Sequence, residues 1–128
     1  MSVLVGKKAP LFQSQAVLAN GEIVDDFYLG QAISGKYAAL FFYPLDFTFV
    51  CPSEIIAFAN RTPALKALNC EVVAVSTDSH HTHFAWRNTP VEQGGIGPVP
   101  FPLVSDMTRD ISSAYGILAD SSDSFYPV

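Results

Sequence analysis

Apolar residues come in short unbroken blocks along this chain, separated by turn-forming clusters. The run Ala38-Ala39-Leu40-Phe41-Phe42-Tyr43 has no polar alternation, which predicts a strand covered on both faces in a parallel sheet, ended by Pro44. Glu71-Val72-Val73-Ala74-Val75-Ser76 predicts a second buried strand, and Phe101 to Val104 a third, shorter one. Near the N-terminus, Gln15 to Leu18 and Glu22 to Val24 flank Ala19-Asn20-Gly21, whose Asn-Gly pair supplies the positive φ values of a tight hairpin turn.

Between the strands the spacing turns helical. Pro52 and the acidic Glu54 mark a helix start, and apolar Ile55, Ile56, Phe58 and Ala59 continue toward Leu65 and Leu68, with a break predicted at Pro63. A second helix is predicted from Ser79 to Asn88, stopped by Thr89-Pro90, and a third from Met107 to Tyr115 with Gly116 as its C-terminal cap. Gln93-Gly94-Gly95-Ile96-Gly97-Pro98 reads as a loop and the polar Asp120 to Ser124 as loop or frayed end. The order β-α-β-α-β-α implies an α/β domain with a central sheet.

At 128 residues and 49% hydrophobic, the chain is read as one small domain, 1–128, with enough apolar side chains for a core. Seven basic against 12 acidic residues, a net charge of -5, argue against a non-specific grip on nucleic acid or an anionic membrane. No signal-peptide pattern opens the sequence and no apolar run reaches membrane-spanning length, so the expected location is cytoplasmic. The 2 cysteines, Cys51 and Cys70, are too few for a secreted disulfide framework, and each thiol has to be read by its surroundings.

Cys51 falls in the first turn of a predicted helix, where unpaired N–H groups and the positive end of the macrodipole favour a thiolate. Placement alone is equally the signature of a small buried hydrophobe. Thr48, three residues earlier, brings a hydroxyl within reach of the sulfur. Pro44 and Pro52 stiffen the intervening loop, which suits a preorganised pocket.

The segment Phe41-Phe42-Tyr43-Pro44-Leu45-Asp46-Phe47-Thr48-Phe49-Val50-Cys51-Pro52-Ser53-Glu54 resembles the active-site stretch of the typical 2-Cys peroxiredoxins, whose Pro-x-x-x-Thr-x-x-Cys motif falls on Pro44, Thr48 and Cys51. The resemblance continues through Val72 to Asp78, His83-Phe84-Ala85-Trp86, Asn88-Thr89-Pro90, Pro102 to Asp106, Arg109 and Tyr115-Gly116, up to about Leu118. It implies a thioredoxin-like fold and a thioredoxin-dependent peroxidase that reduces hydrogen peroxide and alkyl hydroperoxides through a sulfenic acid at Cys51. By the same resemblance Pro44 shields the pocket, Thr48 orients the peroxide, Arg109 stabilises the thiolate and the transition state, and Glu54 supports an arginine. Thioredoxin or another thiol is the implied reductant and a homodimer or higher homo-oligomer the implied assembly. No metal, haem or flavin cofactor is required.

Arg109 also has an argument from the residues. Asp106 reads as an N-cap, which leaves a positive charge in the first helical turn, where the dipole disfavours it. Either an ion pair with a nearby acid or a guanidinium aimed at Cys51 would offset that. Cys70, just ahead of a buried strand, reads as an inert core thiol, and its distance in sequence from Cys51 does not fit a Cys-x-x-Cys dithiol. Asp78, His80, His81 and His83 invite a metal-site reading, but adjacent histidines point to different helix faces, and a solvated helix start explains them better. Gly94-Gly95-Ile96-Gly97 resembles the Gly-Gly-Leu-Gly element of overoxidation-prone peroxiredoxins, with Ile96 in the leucine position.

After Leu118 the resemblance stops, so the expected fold lacks the family's C-terminal strands and helix, and with them the resolving cysteine. Turnover would then need an external thiol. The alternative is a non-catalytic peroxiredoxin acting as peroxide sensor, subunit modifier or holdase.

Overall fold

A computed structural model describes residues 4–43, 46 and 51–117, with Cys51 described through its backbone alone. β1 (Gln13–Val17) and β2 (Ile23–Tyr28) form the N-terminal hairpin, and the short α1 (Leu29–Ala32) leads into β3 (Tyr37–Phe42). Then follow α2 (Cys51–Ala67), β4 (Cys70–Ser76), α3 (His80–Arg87), a 3-10 turn at Val91–Gln93, β5 (Leu103–Ser105) and α4 (Asp110–Ala114). The strands make one sheet in the order β2-β1-β5-β4-β3. β3, β4 and β5 are mutually parallel, and β1 is antiparallel to both its neighbours.

The apolar blocks do what their lack of alternation predicts. Along β4, Val72 and Ala74 face one layer while Val73 and Val75 face the other, and β3 divides in the same way, Ala39 and Phe41 against Leu40 and Phe42. One layer gathers Ile55 of α2 and Trp86 of α3 with Ile96, Val99 and Phe101; the other gathers Leu29 of α1, Phe27 and Ile111 of α4. Phe41 stacks on Phe58 of α2 with ring centroids 4.1 Å apart, tying helix to strand through an aromatic pair worth about 0.5–1.5 kcal/mol beyond its area.

Three expectations need correction. The hairpin does not use Asn20 at positive φ: only Gly21, at φ 88°, has it. Gly21 N–H donates to the Leu18 carbonyl at 2.9 Å, Leu18 N–H to the Glu22 carbonyl at 2.8 Å, and Asn20 serves through its side chain, which accepts from Glu22 N–H. A looser turn with one left-handed glycine therefore replaces the two-residue form.

Helix α2 is not broken at Pro63. It runs unbroken through that position. A proline lacks the N–H for its helical bond, and the Thr62 hydroxyl takes part in the same turn by donating to the Phe58 carbonyl at 2.8 Å. α2 ends with Asn69 in the left-handed region at φ 59°, its side chain donating to the Gly35 carbonyl, which seats the helix end beside the start of β3.

The last helix begins at Asp110 rather than Met107, because Arg109 itself is left-handed, φ 65°, and cannot join a right-handed helix. Its other end is as expected. Gly116, at φ 68°, donates to the Ser113 carbonyl and Ile117 to the Ser112 carbonyl, the paired bonds of a Schellman cap.

Candidate active site

Because β3, β4 and β5 run parallel, their C-terminal ends share one edge of the sheet, the usual place for a site in an α/β fold. The chain leaves β3 there, and the next described element, α2, begins at Cys51. A helix of that length carries about half a positive charge at its start, with N–H groups that no residue of the helix can satisfy. Glu54 sits in its first turn on the exposed side and lines, with Phe58, Arg61 and Leu65, an open groove of about 540 Å³ along α2. Pro44, Thr48 and the Cys51 side chain lie outside the described residues, as do Phe47 and Phe49.

Beneath this edge lies a buried polar cluster that the sequence reading did not single out. Tyr43, just past β3, donates its hydroxyl to Asp46 Oδ1 at 2.7 Å, and the other oxygen of Asp46 lies 2.7 Å from His83 Nδ1 of α3. Both side chains of the Asp46–His83 pair are 0% exposed. His83 Nε2 is 3.0 Å from the Val104 carbonyl, which can only accept, so that nitrogen carries a proton. A second proton then lies between Nδ1 and the carboxylate. Whether it rides on the imidazole or on Asp46, the pair is neutral overall, which is how it tolerates burial.

The cluster extends to the end of β4. Asp46 N–H donates to Asp78 Oδ2 at 2.5 Å, Asp78 N–H donates to the Ser76 hydroxyl, and the Ser105 hydroxyl donates to the Asp78 carbonyl at 2.7 Å. Burial pushes the Asp78 carboxyl above its ordinary range, opposed by the Asp46 N–H. Burial, reinforced by the Asp46 charge, holds the Tyr43 hydroxyl well above its ordinary value, so it remains a neutral donor.

His83 thus corrects the reading of the histidines as a solvated helix start. One turn beyond the Ser79 cap, which accepts from Thr82 N–H at 3.1 Å, the helix turns His83 toward the sheet and Asp46 meets it. His81 is exposed and His80 half-buried, their rings 4.1 Å apart. Among the described residues no three His, Cys, Asp or Glu side chains gather as a metal ion requires. Asp46 carried the one overlooked sequence signal: an acid between Leu45 and Phe47, in a run otherwise apolar, needs a buried partner.

The N-cap position of the last helix is held by Arg109 and not by Asp106, yet the Asp106 side chain still serves the first-turn donors. Its carboxylate accepts from Ile111 N–H at 3.0 Å and from both the N–H and the hydroxyl of Ser112 at 2.7 Å. Arg109 stands at the N-cap position of α4, exposed, and its guanidinium has no ion pair among the described residues, so the ion-pair reading is not realised there. α4 packs through Ile111 on the layer opposite α2.

Cys70 opens β4 at the far end of the sheet, paired with Tyr37. The whole length of α2, about 25 Å at 1.5 Å per residue, separates it from Cys51. A disulfide needs Cα atoms within about 7 Å, so the two cysteines of one chain cannot bridge in this fold. Trp86 belongs to the core and so does Ile96 of the glycine loop, and Trp86 Nε1 donates to the Gly94 carbonyl at 3.1 Å, fastening the loop to α3.

Comparison with known proteins places these features in a family. A model described as the AhpC/TSA family matches residues 5–127. Peroxiredoxin-2 of Bos taurus is 51% identical over 125 residues, with 95% of this chain and 60% of the bovine protein covered. Alkyl hydroperoxide reductase C of Helicobacter pylori is 49% identical over 120 residues, covering 94% and 61%. The chain therefore spans about three fifths of the length of these relatives. Among solved structures, the reduced 2-Cys peroxiredoxin of Plasmodium vivax superposes with a TM-score of 0.87 at 47% identity, covering 92% of this chain and 72% of that one. Plasmodium yoelii thioredoxin peroxidase I does so with a TM-score of 0.82 at 44% identity, covering 88% and 64%.

Proposed function

This chain belongs to the AhpC/TSA family, with the thioredoxin-like fold of the peroxiredoxins, and on that footing we propose that it reduces hydrogen peroxide and alkyl hydroperoxides through Cys51. The observation that carries the reading is the position of Cys51 as the first residue of α2 at the C-terminal edge of the parallel strands. The thiolate attacks one peroxide oxygen, forming an S–O bond as the O–O bond breaks, and the departing oxygen takes a proton to leave as water or an alcohol. Two equivalents of an external thiol then return the sulfenic acid to the thiol, releasing water and a disulfide.

Thr48 is assigned to orient the peroxide, Pro44 to shield the thiolate, and Arg109 to supply positive charge as the leaving oxygen develops its own. Arg109 rests on resemblance and on its place at the same sheet edge, following β5. Glu54 is assigned, by resemblance, to support an arginine; Arg61 lines the same groove of α2. The reductant is taken to be thioredoxin or a similar small thiol, in keeping with the name of the Plasmodium yoelii relative. Residues 1–128 acting as one domain, a homo-oligomeric state and a cytoplasmic location belong to the same proposal; among the described residues no helix is long and apolar enough to cross a membrane.

The test is the second-order rate at which the reduced protein consumes hydrogen peroxide at neutral pH, with Cys51→Ser as control and circular dichroism to show that both are folded. A rate far above that of a free thiolate, abolished in the control, supports the assignment; a free-thiol rate in folded protein removes it. A second, non-catalytic reading as sensor, subunit modifier or holdase is favoured by the groove on α2, whose walls include Ala57, Phe58, Ala64 and the exposed Leu68, a surface suited to a protein partner.

A further inference from the structure

We propose that the buried Asp46–His83 pair, completed by Tyr43, is the positioning device of the Cys51 site. It ties Asp46, which lies between β3 and α2, to α3 and to β5; this rests on the peroxidase reading above. Asp46 lies two residues before Thr48 and five before Cys51. It is held from four directions: Tyr43 Oη on one carboxylate oxygen, His83 Nδ1 on the other, the Asp78 carboxylate on its backbone N–H, and through His83 the Val104 carbonyl.

The directions matter. Tyr43 directly follows β3, His83 belongs to α3, Asp78 lies two residues past β4 and Val104 belongs to β5. Asp46 is therefore referenced to the ends of all three parallel strands and to α3, and its position cannot change without breaking three buried bonds and one part-buried one. Reaction of a thiolate with peroxide requires the attacking sulfur and the groups that steer the peroxide to be held within a fraction of an ångström, whereas simple alkylation requires only an accessible thiolate. The groups that face His83 are Asp46, Tyr43 and Asp78, with His80 one turn back on its own helix.

The experiment compares two reactions of Cys51 in the intact chain, oxidation by hydrogen peroxide and alkylation by iodoacetamide, together with hydrogen exchange of the amides in 44–51. Asp46→Ala is expected to slow the peroxide reaction by about tenfold or more. Alkylation, corrected for thiolate fraction, should stay within about twofold, and exchange should rise in 44–51 but not in β4. Asp46→Asn, whose amide can accept from Tyr43 and donate to a neutral His83, is expected to restore most of the rate. Tyr43→Phe, which keeps the ring and loses one bond, provides a milder variant should Asp46→Ala not fold.

Equal loss of both reactions, or unchanged peroxide rate and unchanged exchange in folded Asp46→Ala or Tyr43→Phe, overturns the proposal. If the unaltered chain reacts with peroxide no faster than a free thiol, the peroxidase reading fails by itself. The exchange measurement then still decides whether Asp46 clamps the segment.

Discussion

Gly95 lies with its backbone pressed against Thr89: a Cβ built on Gly95 would stand 1.9 Å from the Thr89 carbonyl oxygen and 2.5 Å from the Thr89 Cβ. The obstacle is backbone, so it cannot swing aside. Gly95→Ala should destabilise the protein by about 1–3 kcal/mol as the loop is forced off Trp86. Gly97→Ala differs, because none of the described residues lies within 4 Å of the added Cβ and its φ of +67° is what opposes the change, at about 1–2 kcal/mol. Urea midpoints of both variants check this, and an unchanged midpoint for Gly95→Ala would contradict the packing described.

Removing one partner of the Asp46–His83 pair leaves the other buried without it, at a cost of about 3–5 kcal/mol for His83→Ala. Replacing both should cost less than the two single changes together, since no uncompensated charge then remains. A double-mutant cycle on unfolding free energies reads the coupling, and strict additivity would show that the two side chains do not interact.

How much of this could be read from the chain depends on where the information lies. The blocks at Ala38 to Tyr43 and Glu71 to Ser76 announced their burial on both faces, because a strand with no polar alternation has no face to give to water. Gly116 announced its cap for the same local reason. Pro63 misled, since tertiary packing of α2 on β4 outweighs one lost helical bond. Arg109 at positive φ was not legible, because nothing in the local sequence demands it. The role of His83 was hidden in a partner 37 positions away in sequence, which no helix-face argument reaches.

Arg109 allows one substitution to separate stability from catalysis. A non-glycine residue in the left-handed region is strained, so Arg109→Gly should raise stability by about 1 kcal/mol. If the guanidinium serves Cys51, the same variant should lose peroxide reactivity by about tenfold or more, since an electrostatic donor at such a site is worth at least that. Rapid-mixing rates and thermal unfolding on one preparation report both. Unchanged reactivity would remove Arg109 from the site.

His80 should make the protein acid-sensitive. Burial, with the neighbouring His81 adding to it, holds the His80 imidazole below its ordinary value, and its Nδ1 is enclosed with no hydrogen-bond partner among the described residues. The unfolded chain then binds the proton more tightly than the folded one. The contribution of His80 is thus present above the ordinary histidine value and is lost as the pH falls through the window down to its lowered value. His80→Gln should flatten the fall in denaturation midpoint between about pH 7.5 and pH 5. An equally steep fall in the variant would assign the acid sensitivity to other groups.

Asp78 has the opposite sign. Burial raises its carboxyl above the ordinary range, more than the Asp46 N–H lowers it, so the folded protein holds that proton more tightly than the unfolded chain does. Stability from this group is full below the ordinary carboxylate value and is lost as the pH rises through the raised one, leaving the ionised carboxylate a burden at neutral pH. Asp78→Asn keeps an oxygen for the Asp46 N–H and sheds the charge. Its denaturation midpoint should therefore exceed that of the unaltered protein at about pH 7 and converge with it toward pH 4. A lower midpoint at neutral pH would mean that the charged acceptor of the 2.5 Å bond from Asp46 N–H outweighs the cost of burying it.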